Sequence, residues 1–555
     1  MAGIASGQEP ADARPLEKGL KTGAISFASS VVIGVASTAP GYSLAAVLGL
    51  VVAVQGVGVH APAIFIVAFV PMLLVAMAYK YLNKADPDAG TSFSWATRAF
   101  GPNTGWITGW AIVVADIIVM ANLAQIAGLY SFLLFGIDNP STVAVTVIGV
   151  IWIAVMTYIC VIGIELNAKT QQWLLTAEIV TLAIFAVVAL TRVWLGTAPP
   201  TSVNPALSWF SPFAIGSTSA LTSGVLLAVF IYWGWDSLVC VNEETEDAEN
   251  VPGKAAIIAT LILLGIYVIV STAAIAYAGP ALLANDDTGD VLGILANSVF
   301  GSSLLGKIVI IAVLSSAAAS TQTTILPTSR TALSMARSKA FPRGLAHIHQ
   351  QHQTPDTATW WMGGLSIVWY VGLTLVSQDI LFDSIAALGL MIAFYYGLTG
   401  FACVWFYRRT LTKSVRHFFM RGVLPLAGGI FLFVMFVYAT GVYGKVDNLT
   451  DDDGNNVTIF GIGAVAVVGI GTLLLGLVLL AVQWVVSPDY FRGKTLPRRS
   501  HGDLLLVGEV PIGAEPIALP DSREDLIIAP DLSNLPPGRT AIDPATGETF
   551  EKPSQ

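Results

Sequence analysis

Charge is what this chain has least of. Only 11% of its 555 residues are Asp, Glu, Lys or Arg, against about a quarter in an ordinary soluble protein. That scarcity, with 55% hydrophobic residues and a mean hydropathy of +0.72, excludes a water-soluble globule and points to an integral membrane protein. The formal net charge of −9 comes with no basic face, so nucleic-acid binding is not expected. Cysteine is nearly missing as well. Cys160, Cys240 and Cys403 lie in or beside apolar segments without paired spacing, which excludes a disulfide framework or a thiolate metal site and leaves buried small side chains. The six histidines, His60, His347, His349, His352, His417 and His501, fall in loops, helix ends or the tail, and His347, His349 and His352 read as a solvated loop. No catalytic constellation, metal site or cofactor motif is recognised, so a membrane-embedded hydrolase has nothing to work with. The polar first twenty-odd residues hold no short apolar core with a cleavage site, so the first apolar segment is expected to remain as a membrane helix.

Apolar windows of about 20 residues, the length that spans a bilayer, are then counted. They predict twelve spans near 24–54, 61–83, 104–135, 141–163, 172–195, 218–241, 255–279, 303–329, 359–377, 381–407, 422–443 and 459–486. Twenty-one lysines and arginines fall in alternate loops on one side, against Arg192, Lys307 and Lys445 on the other. This bias predicts both termini in the cytoplasm of a cell carrying the protein in its cytoplasmic membrane.

Two of the spans are interrupted. The first contains Ser37-Thr38-Ala39-Pro40-Gly41 and the sixth Tyr232-Trp233-Gly234-Trp235-Asp236. Proline removes an amide donor and glycine has no side chain to pack, so regular helix should stop there. Unpaired backbone at membrane depth is tolerated only around a buried or watery site, and matched interruptions in two halves of a chain are a pointer to a transporter binding site. The two breaks lie five spans apart, so they cross in opposite directions, as an inverted five-plus-five repeat requires. The expected organisation is a cytoplasmic segment 1–22, repeats 23–195 and 196–410, two further helices in 411–486, and a largely flexible cytoplasmic tail 487–555 with a possible short strand at Leu504–Val507.

Several motifs occur in an order that resembles the amino acid/polyamine/organocation (APC) transporters. Ser329-Arg330, Met335-Ala336-Arg337, Pro342 and His347 are similar to the exit of that family's eighth helix. The run Phe230 to Ser237, then Asn242-Glu243-Glu244 and Pro252, is similar to its sixth helix, and Asp116 sits where the family often carries an acid. The resemblance covers about 20–410. It implies the leucine-transporter-type all-α fold with broken helices 1 and 6, and secondary active transport of an amino acid or related amine across the lipid bilayer.

Within that frame the amides near Ser37, Thr38, Ala39, Pro40 and Gly41 begin an outer half-helix whose partial positive charge suits a carboxylate. Carbonyls near Trp233 and Gly234 suit an ammonium, with Phe230, Tyr232 and Trp233 closing over the substrate or packing beside it. The family's first helix usually carries a glycine-rich run instead of Ser-Thr-Ala-Pro-Gly. Pro40 has no amide, so carboxylate recognition is weakened and a small amine becomes more plausible.

Glu178, in Leu174–Val180, aligns with a family lysine that stands in for sodium in proton-coupled members. A carboxylate at membrane depth costs about 2.5–3.5 kcal/mol by insertion scales and is seldom accidental. It can load a proton, ligate sodium with Ser315 and Ser316, face a substrate amine, or simply hydrogen-bond a neighbouring helix. Asp116 reads either as a helix–helix bond or as a group near the substrate, and Asp236 as a group that caps or orients the half-helix at the second break. The expectation is a proton-coupled importer; the alternatives are a sodium-coupled symporter, an exchanger of amines or polyamines, a transport-deficient sensor, or a channel.

Overall fold

A computed structural model describes residues 18–137, 139–284, 291–300, 303–376, 378–446, 456–498, 540–542 and 549–551. Among these residues, twelve helical segments are long and apolar enough to cross a membrane. The Leu504–Val507 expectation lies outside the described residues.

The spans sort into an inner and an outer set. In the most apolar window of spans 1 (Phe27–Ala53), 3 (Pro102–Leu134), 6 (Thr218–Cys240), 8 (Gly306–Arg337) and 10 (Ala386–Tyr407), 72–83% of residues are buried; in spans 4, 5, 9, 11 and 12 the figure is 28–39%. The second set therefore presents most of its surface outward, as a lipid-facing layer does. Span 5, Ile164–Trp194, is the informative member of that layer. Its inward stripe includes Asn167, Gln171, Leu175 and Glu178, so a narrow polar seam on an outward-facing helix points into the core. Gln171 on that seam donates to Gln322 Oε1 at 2.5 Å and to the Ala319 carbonyl at 3.0 Å, fixing span 5 against span 8.

Both interruptions are present. The first span's opening helix, Phe27–Ser37, is capped by the Ser26 hydroxyl, which accepts from the Ser29 amide, and stops before Ala39. Ala39 takes φ 47°, a left-handed conformation, and helix resumes as Pro40–Ala53. Proline suits this first helical position because the amide it lacks would have no partner inside the helix. In the sixth span Thr218–Ala228 gives way to a 3₁₀ turn at Phe230–Tyr232, Trp233 is extended, Gly234 takes φ 108°, and helix returns at Ser237–Cys240. The disruption begins at Val229, three residues before the Tyr232 expected from sequence.

The eighth helix continues past residue 329 to Arg337, eight residues beyond its expected end. Residues just after Ser487 are packed rather than loose. Tyr490, Phe491 and Leu496 join Phe93, Trp106 and Met335 in a small core, and the Tyr490 hydroxyl donates to the Pro102 carbonyl at 3.0 Å. Cys160, Cys240 and Cys403 are all buried free thiols.

Candidate functional site

The first break is a junction of four spans. Helix Pro40–Ala53 starts with amides that have no partner within the helix. The Gly41 amide donates to Glu178 Oε1 of span 5 at 2.7 Å, and the Tyr42 amide donates to Ser316 Oγ of span 8 at 3.2 Å. Glu178 is fully buried, and among the described residues its second oxygen has no hydrogen-bond partner. Ser315 turns away and donates to its own helix at Ala312. Ser316 thus joins Glu178 at the break, and Ser315 does not.

Upstream, Thr38 Oγ1 donates to the Gly34 carbonyl and the Ser43 hydroxyl to the Thr38 carbonyl, each at 2.8 Å. Ser37 links the two breaks. Its hydroxyl lies 2.7 Å from that of Ser237, its carbonyl accepts from Ser320 Oγ at 2.9 Å, and Gly234 passes so near that a Cβ there would stand 2.8 Å from the Ser37 oxygen. Ala39 and Pro40 contribute backbone shape alone.

At the second break Trp233 Nε1 donates to the Tyr395 hydroxyl at 2.5 Å, and the Tyr232 hydroxyl donates to the Phe65 carbonyl at 3.1 Å. Tyr232 also packs edge-on against Tyr267, and Phe230 is buried. Tyr232 is therefore a packing residue with a satisfied hydroxyl, while Trp233 reaches toward span 10.

Asp236 does not cap the half-helix, one of the two roles expected of it. It stands at the helix start, but its φ and ψ of −68° and −14° are helical and its side chain makes no cap bond. A capping side chain needs the extended backbone it lacks. Its carboxylate instead accepts from three phenols: Tyr396 at 2.8 Å, Tyr395 at 3.2 Å and Tyr79 at 3.3 Å. Three buried donors satisfy it better than a single amide. Asp116 bridges spans, accepting from Thr328 Oγ1 of span 8 at 2.8 Å.

Arg330, Glu243 and Glu244 stood out in the sequence as motif residues, but their pairing with one another and with Lys18 and Asp88 did not. Lys18 Nζ contacts Glu243 Oε1 at 2.5 Å and Asp88 Oδ1 at 2.9 Å, while the Ala89 amide donates to Glu243. Arg330 and Glu244 form a bidentate buried pair, Nε to Oε2 at 2.7 Å and Nη2 to Oε1 at 2.8 Å. Between them Ile25 and Thr245 form a short parallel bridge, through the Ile25 amide on Glu244 O and the Glu246 amide on Ile25 O, each 3.0 Å. The chain start, the loop after span 2, the end of span 6 and span 8 are thereby tied together.

The sequence pattern of the family described as "Amino acid permease" matches residues 23–467, a stretch that includes every residue of both breaks. The chain belongs to the amino acid permease family. This permease-family chain is 24% identical over 316 residues to a branched-chain amino acid permease of Lactococcus lactis, covering 53% of itself and 64% of that relative. It is 23% identical to a cationic amino acid transporter of Arabidopsis thaliana over 60% of itself and 55% of the relative. It is 22% identical to a low-affinity putrescine importer of Escherichia coli over 68% of itself and 80% of the relative. The chain thus spans less than two thirds of the length of the first two.

The Lys18 cluster carries a pH-dependent prediction. Burial pulls the Lys18 ammonium down, but Asp88 and Glu243 outweigh it and hold Lys18 above its ordinary value. Burial pushes Asp88 up, and Lys18 beside it overrides this, bringing Asp88 to about 2. Glu243 ends above its ordinary value because burial outweighs its contact with Lys18. The depressed Asp88 contributes stability that is present above the ordinary carboxylate range of about 4 and lost as pH falls through about 2. The raised Lys18 contributes stability present below about 10.5 and lost as pH climbs through its folded value. Lys18→Met leaves two carboxylates facing each other, a loss on the order of 3 kcal/mol while both are ionised. Thermal unfolding in detergent should show a larger Tm drop at pH 8 than at pH 5, where Glu243 is the first to take up a proton and relieve the repulsion. An equal drop at both values removes the electrostatic account.

Proposed function

We propose that this chain is a secondary active carrier that imports an amino acid or small amine across a cell membrane in symport with protons, with both termini in the cytoplasm. Family membership and twelve spans support a multi-pass carrier. The observation that carries the coupling role is the seat of Glu178: a buried carboxyl group bound to the broken first span by one oxygen, with its second oxygen unpartnered among the described residues. Such a group can gain or lose a proton on the open oxygen without breaking its bond to Gly41. Span 5 and the helix Pro40–Ala53 would then sense the proton together, through a contact spanning 137 positions of sequence. The two interrupted spans, crossing in opposite directions, form the moving centre in this reading, and the tied Lys18 side is the end that must open to release substrate inward. The two five-helix units, 23–195 and 196–410, would rock against each other as inverted repeats.

Labelled uptake into proteoliposomes under imposed proton or sodium gradients tests this. A proton gradient should drive accumulation by the native protein. Glu178→Gln should retain exchange across the membrane and lose gradient-driven accumulation by about tenfold or more, the scale of a conformational coupling energy of 1–3 kcal/mol. If Glu178→Gln accumulates substrate normally, Glu178 is structural. Accumulation driven by sodium alone removes the proton.

A further inference from the structure

We propose that Glu178 occupies the seat a substrate carboxylate would need, so that the carrier selects protonated amines without a carboxylate over α-amino acids. This rests on the transport reading above and names its substrate class.

The start of helix Pro40–Ala53 is where a substrate carboxylate would be sought, because free amides and a helix dipole converge there. Here each amide is spoken for. Thr38 N donates to Val35 O at 3.2 Å, Ala39 N to Ala36 O at 3.1 Å, and Ser43 N to Ala39 O at 2.7 Å. Proline supplies no amide at position 40. The two that remain, Gly41 N and Tyr42 N, go to Glu178 and Ser316. Space is closed too: a Cβ on Gly41 would meet Glu178 Oε1 at 3.3 Å and Ser316 Cβ at 3.5 Å. The protein's own carboxylate has taken the anion position.

The charge balance agrees. Glu178, Asp116 and Asp236 are at most 5% exposed, and among the described residues no lysine, arginine or histidine side chain pairs with any of them. Buried cations elsewhere are otherwise placed: Lys18 with Asp88 and Glu243, Arg330 with Glu244, and Arg421 against the Tyr81 and Tyr407 rings. A fourth carboxyl group brought in by an amino acid would meet three buried acids and no paired base, whereas an ammonium would find acceptors among them. Glu178 Oε2, buried and without a partner among the described residues, is an acceptor in waiting at the same junction.

Matched pairs that differ only by a carboxylate give the test: putrescine against ornithine, and 3-methylbutylamine against leucine. Uptake by the native protein in proteoliposomes should give each amine a KM at least about tenfold below that of its amino acid, the scale of one unmade charge-assisted contact. Glu178→Ala empties the seat and should shrink that ratio several-fold toward the amino acid. Ornithine or leucine carried as well as its amine overturns the inference and leaves the transport reading standing. A ratio unchanged in a transporting Glu178→Ala protein removes Glu178 as the discriminator. If none of the four is carried and none shifts the Tm of the native protein, both this inference and the transport reading fall. Should Glu178→Ala fail to fold, the native pairs still decide.

Discussion

Gly234→Ala should abolish uptake and destabilise the protein by about 3 kcal/mol. Two independent penalties meet at this residue. Its φ of 108° lies where an L side chain is strained, a cost of order 1–3 kcal/mol. The added Cβ would also stand 2.8 Å from the Ser37 carbonyl oxygen, 3.0 Å from its carbon and 3.2 Å from its hydroxyl. The nearest atoms are backbone, so no rotamer change relieves them, and overpacking of this kind costs about 1–3 kcal/mol more. The only relief is to move the two breaks apart. That movement also strains the contact of Ser37 with Ser237 and the bond it accepts from Ser320, which together hold the first, sixth and eighth spans in register. Gly265→Ala is the control, since a Cβ there meets nothing within 4 Å. It should retain native uptake and Tm. A Gly234→Ala protein that melts and transports like the native one would show that the close approach of the two breaks is dispensable.

What could be read without coordinates follows from how local each signal is. The first break is written in adjacent residues: Pro40 cannot sit inside a helix without losing a bond, and it duly opens the second half-helix. The second break was placed by Gly234, yet the helix already ends at Ala228. Its early end depends on distant partners, among them Tyr267, whose hydroxyl donates to the Ile231 carbonyl. Glu178 stood out because a carboxylate in an apolar run is expensive, but its partner, 137 positions away, has no sequence mark beyond the break itself. The phenols around Asp236 come from spans 2 and 10, and only the adjacent pair Tyr395-Tyr396 in an otherwise apolar run hinted at them. The eighth span was expected to end at 329, one residue before Arg330. The structure keeps Arg330 inside by giving it a carboxylate 86 residues distant, a pairing that hydropathy cannot see.

That same pair carries the second large expectation. Arg330 and Glu244 are 1% and 0% exposed, so neither charge has water to fall back on. Removing one partner, by Arg330→Met or Glu244→Gln, strands or mismatches the other and should cost about 3–5 kcal/mol. Removing both is different in kind. A buried ion pair exchanged for apolar residues of similar volume is often neutral or stabilising, because two desolvation penalties vanish with the attraction. Arg330→Met combined with Glu244→Leu should therefore recover most of the Tm lost by either single variant. Transport should not recover with it. The pair sits on the strip where Ile25 bridges to Thr245, so it joins span 8 to the chain start and to the end of span 6. A polar joint of this kind can part and re-form as the two sides move, since each ion regains water when the joint opens, whereas a Met–Leu contact loses apolar burial with no such compensation. The double variant is thus expected to be stable, to bind substrate as judged by ligand-induced Tm shift, and to move it at least tenfold more slowly. Native transport rates in a stable double variant would make the pair a structural staple and nothing more, and single variants as stable as the native protein would remove the buried-charge argument altogether.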